Sequence, residues 1–411
     1  MRQCGLTGYG PEVKPADFHG EPLECPCIHP TPGAYWQGLG RMPAGMKKAA
    51  RCTGGRQGGS IMKPVEEIIF LGAGASASEG APVQKDLFRE FFRPSCGCRH
   101  QGPNIDRLAK FFRDFFGIDV QNGPPEALFP SFEETLGMLE MAMDRSESFR
   151  GYSVASQAPD VQTLREDLIF LIALVLNRTL ERPRGHHREL VARLAAEGRL
   201  TSTAFISLNY DTLIDNALIE LHPDIDVNYG VEFTNFSRER DWKPPRKGRT
   251  VGLLKLHGSL NWLYCPTCIS LTLTPREHDK VTRLIDHPVP CAQCGMPIVP
   301  IITPPSFLKG MKNHFLQQIT HHAATVLSKA RRIVFCGYSF PAADLHIRYL
   351  LKRQELNFEL RPEIVVMNSY QGKDEGSKRK EEKRYRRFFR AKDKVRYLDI
   401  TFSDFCARGI D

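Results

Sequence analysis

His257 stands in the run Leu256-His257-Gly258-Ser259-Leu260-Asn261-Trp262, and Cys265-Pro266-Thr267-Cys268 follows within a few residues. An imidazole titrates near neutrality and can serve as a base. A histidine after an apolar run more often packs or caps than reacts, so His257 needs other groups around it before it counts as a base. The second cysteine pair is Cys291-Ala292-Gln293-Cys294. Each pair can place two thiolates on one metal, and two pairs complete a tetrahedron. Cys265, Cys268, Cys291 and Cys294 are therefore expected to hold Zn2+. Four sulfur ligands leave no open coordination position, which makes the expected zinc structural. The 22 residues between the pairs slightly exceed the common spacing. Pro266, Pro290 and Gly295 supply turns. Neither pair opens a helix after a strand, as a redox dithiol would.

The elements that must position these groups alternate between strand and helix. Glu67–Leu71, Ala204–Leu208, Gly252–Leu256, Arg332–Cys336 and Glu363–Met367 are short continuous apolar runs, as in strands buried on both faces of a parallel sheet. Each ends in glycine or polar residues: Gly72-Ala73-Gly74, Asn209-Tyr210-Asp211, His257-Gly258, Gly337-Tyr338-Ser339 and Asn368. Ligands of open parallel sheets collect at the carboxyl ends of strands, so this convergence points to one nucleotide-type site. Polar residues are common in such loops anyway, which accounts for about two of the five. Gly72-Ala73-Gly74-Ala75-Ser76-Ala77 is a degenerate phosphate-binding turn, with the positive end of a helix behind it. No acidic residue ending a second strand follows about 20 positions on. Helical, Phe-rich sequence stands there, which disfavours a hydride-transferring dehydrogenase.

Helices are expected up to Phe92, from a capping box at Ser131–Glu134 to Met143, and over Leu164–Leu180, Thr212–Leu221, Phe315–Ala330 and Asp344–Gln354. The fold class is α/β: a Rossmann-like, mainly parallel sheet with a helical insertion over 104–200 and a small zinc-binding module over 259–300. Residues 1–61 are rich in Gly, Pro and isolated Cys without apolar periodicity. They read as a disordered or non-native segment, with Met62 as the expected start and 62–411 as the nucleotide-binding domain.

The chain has 411 residues, a formal charge of +9 and 12 cysteines. The cysteine distribution suits a reducing, cytoplasmic setting with a metal site rather than a disulfide scaffold. The longest apolar run, Leu168–Leu176, is about half of the roughly 18 residues a membrane helix needs, so no membrane span is expected. The excess charge is local, roughly +7 over 373–396. Glu381, Glu382 and Asp393 interleave with the bases there, so an exposed ion-paired helix is favoured over a nucleic-acid patch.

Taken together, Gly72–Ser76 with Gly80-Ala81-Pro82, Asn209-Tyr210-Asp211, Leu256-His257-Gly258, the cysteine knuckle, Gly337-Tyr338-Ser339 and Asn368 resemble the sirtuin family from about Glu66 to Thr401. There are departures. Val83-Gln84-Lys85 follows the glycine turn where protein deacylases carry Phe-Arg. Leu208 replaces a Gln, and Thr303-Pro304-Pro305-Ser306 replaces the Gly-Glu segment that helps hold an acyl-lysine peptide. Asn-Tyr-Asp, Leu-His-Gly-Ser-Leu-Asn-Trp and Gly-Tyr-Ser-Phe-Pro-Ala-Ala-Asp-Leu-His look more like divergent bacterial sirtuin-like proteins, several of which consume NAD in defence against phage.

The resemblance implies cleavage of the nicotinamide–ribose bond of NAD. His257 would be the base, Asn209 would position the ribose or a water, and Asp211 would hold the nicotinamide amide. Gly72, Ala73, Gly74 and Ser76 would bind the pyrophosphate, and Gly337, Ser339 and Asn368 the adenosine half. Water as acceptor gives an NAD glycohydrolase, the favoured expectation. An acylated protein gives a deacylase, and a protein side chain an ADP-ribosyltransferase. A non-catalytic NAD or ADP-ribose sensor, with homo-oligomerisation as its output, and a zinc-stabilised scaffold that contacts nucleic acid through 373–396 are the readings from other classes.

Overall fold

The computed structural model describes residues 65–93, 103–120, 129–155, 160–235, 243–246, 248–274, 289–302, 313–342, 344–357, 361–370 and 374–410. The expected N-terminal segment 1–61, the start at Met62 and the stretch Thr303–Ser306 lie outside them.

The strands are β1 (Glu67–Leu71), β2 (Thr203–Ser207), β3 (Asp226–Asn228), β4 (Thr234–Asn235), β5 (Thr250–Lys255), β6 (Gly258–Cys265), β7 (Ser270–Leu273), β8 (Val299–Ile302), β9 (Arg332–Cys336), β10 (Glu363–Met367) and β11 (Val395–Leu398). The helices are α1 (Ala73–Glu79), α2 (Leu87–Phe92), α3 (Pro103–Phe116), α4 (Phe132–Arg145), α5 (Val161–Thr179), α6 (His186–Ala196), α7 (Leu213–Leu221), α8 (His314–Leu327), α9 (Leu345–Asn357), α10 (Glu375–Phe388) and α11 (Phe402–Arg408).

Seven strands form one sheet in the order β11-β10-β9-β1-β2-β5-β3, and every pairing is parallel. The expected Rossmann-like sheet is thus present. β1, β2 and β5 are buried along their whole length, which is why they read as uninterrupted apolar runs. Strand order reverses beside β1: the chain moves outward through β2 on one side and later through β9 on the other. That is the topological switch point, where a crevice opens at the carboxyl ends.

A second, four-stranded sheet has the order β4-β7-β6-β8 and pairs antiparallel at β6. Trp262 on β6 is fully buried and meets Tyr229 edge-on at 5.6 Å and Phe233 at 5.4 Å, which seats the small sheet on the main core.

Helices α2 to α5 carry their own apolar core, with Phe88, Phe112, Phe132, Leu136 and Leu168 at its centre. The Ser131 hydroxyl accepts the Glu134 N–H at 3.1 Å and caps α4, as the capping box requires. The helical stretch expected over 104–200 also contains α6, but Leu190, Val191 and Leu194 of α6 pack in the core of the parallel sheet. The helix expected to run through Phe92 is two helices, because Gly80 takes the left-handed conformation and ends α1. The basic stretch over 373–396 is mostly α10. Its Arg386 pairs with Glu382, Arg379 with Glu375 and Lys378 with Asp399, while its Tyr385 is buried. No described helix is long and apolar enough to cross a membrane.

Candidate functional site

The β1 turn and the β9 turn are in direct contact. Gly72 N–H donates to the Cys336 carbonyl at 2.9 Å, and Gly74 N–H to the Gly337 carbonyl at 2.8 Å. A Cβ on Gly72 or Gly74 would lie 2.7 Å from Gly337 backbone atoms, and one on Gly337, at φ +62°, would lie 2.4 Å from Ala75 N. The glycines are therefore needed first for backbone-to-backbone packing at the switch point. The N–H groups of Gly72 and Gly74, expected to approach a pyrophosphate, already have partners inside the protein.

Between and above these turns lies a cleft of about 1010 Å³. Gly72, Ala73, Gly74, Asn209, His257, Gly337, Ser339 and Asn368 all line it, so the structure brings eight of the ten expected organic-site residues to one cavity. Ser76 and Asp211 stand behind that wall. Ser76 is buried; its hydroxyl donates to Asp211 Oδ2 at 2.6 Å and accepts Asn209 Nδ2 at 2.8 Å. Asp211 Oδ1 accepts the Leu213 N–H at 3.1 Å and so starts α7. Asp211 lines a separate cavity of about 130 Å³, with Leu260 and Asn261. Ser76 and Asp211 thus form a support that aims Asn209. The second amide hydrogen of Asn209 goes to the Gly72 carbonyl at 2.9 Å, which leaves its Oδ1 to accept a proton from a ligand or water.

His257 is 2 % exposed and follows β5 directly, at the point where the chain crosses into the small sheet. Its Nδ1 lies 3.2 Å from the Leu208 carbonyl and its Nε2 lies 2.9 Å from His346 Nε2. Gly258 makes this crossing possible. It has φ +82°, and a Cβ there would meet the Ile301 carbonyl at 2.1 Å.

Three further residues shape the site. Lys255, wholly buried at the end of β5, donates to the Asp211 carbonyl at 2.5 Å and to Asp215 Oδ2 at 3.1 Å. A charged residue inside Leu253-Leu254-Lys255-Leu256 was the visible signal for it. Glu381 of α10 lines the cleft and takes hydrogen bonds from Asn368 Nδ2 and, at 2.9 Å, from the Tyr397 hydroxyl. Burial pushes the Tyr397 hydroxyl far above its usual range, and the neighbouring Tyr370 and Glu381 push the same way. Asp344 also lines the cleft and accepts the Tyr338 hydroxyl at 2.7 Å. Burial raises the Tyr338 hydroxyl, and Asp344 raises it further. Both tyrosines are fixed neutral donors.

At the back of α1, Glu79 accepts the N–H groups of Gly185 at 2.7 Å and His187 at 2.8 Å, and also contacts His187 Nδ1 at 2.9 Å. Burial alone would raise its carboxyl. The His187 ring, the two backbone donors and the charge of His187 outweigh that and lower it to about 2.

The four cysteine sulfurs lie within 4.8 Å of one another, with Cys265 to Cys294 at 3.5 Å and Cys268 to Cys291 at 4.0 Å. Zn–S bonds of ~2.3 Å in a tetrahedron place sulfurs ~3.8 Å apart, so the cluster fits zinc. The N–H of Cys268 points at the Cys265 sulfur at 3.3 Å, and left-handed Gly295 closes the second knuckle by donating to the Cys291 carbonyl at 2.8 Å. Backbone N–H groups of Gln293 and Cys294 lower the Cys291 thiol to about 6, while Cys294 and burial raise the Cys268 thiol to about 12. The knuckle is not beside His257, as adjacency in sequence first implied. They sit at opposite ends of β6, and none of the four cysteines lines the cleft. These sulfurs cannot take part in chemistry at the cleft.

Residues 203–388 match a family model described as a SIR2-like domain. The match includes Asn209, Asp211, His257, the four cysteines, Gly337, Ser339 and Asn368, but not the turn at Gly72–Gly74. No curated protein matches the chain. One similar solved structure, described as "Structural Basis for the Mechanism and Regulation of Sir2 Enzymes", is 14% identical, with 84% of this chain and 91% of that chain covered at a TM-score of 0.34.

Proposed function

Because residues 203–388 match a SIR2-like domain, we propose that the protein cleaves the nicotinamide–ribose bond of NAD and passes the ADP-ribosyl group to water. One observation carries this reading: a single cleft at the carboxyl ends of adjacent parallel strands is lined by both glycine turns, Asn209, His257 and Asn368. The cleft's volume of about 1010 Å³ and its place across the switch point suit a dinucleotide.

In the proposed step, the C1′–N bond breaks with its electron pair passing to the nicotinamide ring nitrogen. The ribose carbon becomes oxocarbenium-like. Water attacks that carbon and loses a proton to His257. Asn209 Oδ1 aligns the water, and Ser76 and Asp211 hold the Asn209 amide so that its oxygen faces the cleft. Buried Tyr338 and the β9 turn close the adenosine side, where the Glu381 carboxylate and the Asn368 amide oxygen offer acceptors to ribose hydroxyls. Zinc held by Cys265, Cys268, Cys291 and Cys294 supplies rigidity to the small sheet.

Water is preferred over an acylated peptide as acceptor for a reason visible in the sequence. Pro304 and Pro305 replace the segment that pairs with such a peptide, and proline has no N–H to add to a ladder.

Incubation with NAD alone, followed by mass spectrometry of nicotinamide and ADP-ribose, tests the proposal. Wild type should release both. His257→Ala should lose about 100-fold or more of the rate, the usual contribution of a general base. Turnover that requires an acylated peptide would replace the hydrolase by a deacylase. Turnover unchanged in His257→Ala would refute the assignment of the base.

A further inference from the structure

His257 and His346 meet through their Nε2 atoms at 2.9 Å, a hydrogen-bond distance, with ring centroids 5.1 Å apart. The direction of that bond can be derived. A carbonyl oxygen only accepts, so the contact with Leu208 requires a proton on His257 Nδ1. Neutral His257 then carries its lone pair on Nε2. The bond to His346 exists only if His346 Nε2–H donates into that lone pair.

Both ring nitrogens of His257 are therefore engaged, one by Leu208 and one by His346. A base that takes a proton from water or a ribose hydroxyl needs the same Nε2 lone pair. His257 lines the cleft, whereas His346 is not among its lining residues. We propose that His346 is a displaceable cap on the base. In the unliganded protein its N–H stands where the proton of the attacking water or ribose hydroxyl must come, and NAD has to exchange that hydrogen bond for its own. The inference rests on the NAD-cleaving reading of His257.

The surroundings fit a movable cap. His346 is the second residue of α9 and is only partly buried. The turn before α9 includes Phe340 at φ +54°, a left-handed residue without the freedom of glycine. Arg348 ties that turn to α9, donating to the Phe340 carbonyl at 3.1 Å and lying over the Phe340 ring at 4.5 Å. His257, Asp344 and His346 also bring their ligand atoms within 4.8 Å of one another, so a shared metal is the competing arrangement. The Tyr338 hydroxyl occupies Asp344 Oδ2 at 2.7 Å, and the added-zinc arm of the test below decides between the two arrangements.

The test uses full-length protein at about pH 8, where unperturbed imidazoles are neutral. Ring 15N shifts of His257 are read by long-range 1H–15N correlation in wild type, His346→Ala and His346→Gln. Wild type should show a protonated Nδ1 and a hydrogen-bonded, unprotonated Nε2. His346→Ala should move the Nε2 signal toward that of an unbonded lone pair, and His346→Gln, which keeps a side-chain N–H, should restore it. In NAD turnover, His346→Ala should lower KM about 2- to 10-fold, the worth of one neutral hydrogen bond, with kcat held. His346→Gln should return KM toward wild type.

An Nε2 shift identical in wild type and His346→Ala would overturn the cap. So would a kcat in His346→Ala as low as that in His257→Ala, which would make His346 essential to the chemistry. Zn2+-dependent shifts at both histidines in protein already carrying zinc at its cysteines would make the pair metal ligands and end the proposal. The NMR readout needs no turnover. If wild type fails to cleave NAD, the proposed function fails while the cap is still decided.

Discussion

Lys255→Met is the most searching perturbation of the site's foundation. The Lys255 ammonium is 0 % exposed and bridges the Asp211 carbonyl at 2.5 Å and Asp215 Oδ2 at 3.1 Å; the Asp215 side chain is 1 % exposed. Methionine fills the same volume but leaves a buried carboxylate with only the Tyr229 hydroxyl, at 2.9 Å, as a donor. Removing one partner of a buried ion pair costs about 3–5 kcal/mol, because the other charge stays desolvated. For a domain of about 300 residues the unfolding entropy is about 0.6 kcal/mol/K, so the melting temperature should fall by about 6 °C. Replacing both partners, Lys255→Met with Asp215→Leu, removes the stranded charge and should recover most of that loss.

The double variant should not recover NAD turnover fully. The Asp211 carbonyl still lacks its donor, and Asp211 holds Asn209 through Ser76. Differential scanning calorimetry on the four proteins of the cycle reads the stability, and nicotinamide release reads the site. Two results would refute the reasoning: a loss below about 1 kcal/mol in Lys255→Met, or a double variant no more stable than that single variant.

Two other outcomes follow from the supporting structure. Zinc analysis should give one ion per chain, and Cys291→Ser should remove it and lower the melting temperature; because none of the four cysteines lines the cleft, the pH dependence of turnover should keep its midpoint. Glu79 has its carboxyl lowered from 4.5 to about 2 in the folded state, so its contribution is complete above about pH 4.5 and is lost as pH falls toward 2. That contribution is about 3 kcal/mol, with about 2 kcal/mol gone by pH 3. Denaturant titrations of wild type and Glu79→Gln should therefore converge as pH falls from 6 to 3, and a constant gap would count against the Glu79–His187 assignment.

The sheet was legible where burial on both faces made strands continuous and apolar. β1, β9 and β10 have the bounds expected from sequence, because Glu66, Arg331 and Pro362 precede them and Gly72, Gly337 and Asn368 follow. β3, β4, β7 and β11 were not read. They are two to four residues long, lie at sheet edges or in the small sheet, and mix polar with apolar residues, so no period shows. The site followed the same division. Residues directly after apolar strands, such as Asn209, His257 and Asn368, could be located. Glu381, which lines the cleft, and His346, which meets His257 from outside that lining, could not, because each comes from a helix whose packing no local pattern encodes. Lys255 could have been found, since a lysine at the end of a fully buried strand needs a buried partner.

The path from β5 into β6 gives the distant zinc a way to matter. β5 pairs with β2 in the parallel sheet, and two residues later β6 pairs with β8 in the other. His257 occupies that crossing, so its ring direction depends on the register of both sheets. The first end of β6 is fixed by close approach: Gly258 lies against the Ile301 carbonyl, where any side chain would collide. Its far end is fixed by Cys265, one of the four clustered sulfurs, while β8 follows shortly after the Cys291–Cys294 knuckle. A metal on those sulfurs holds β6 and β8 in register. A slip between them would press Ile301 against Gly258 and turn His257 away from Leu208. Zinc on those sulfurs would thus be coupled to the proposed base through strand register, and its loss should reduce turnover by misplacing His257 rather than by changing how readily that imidazole accepts a proton.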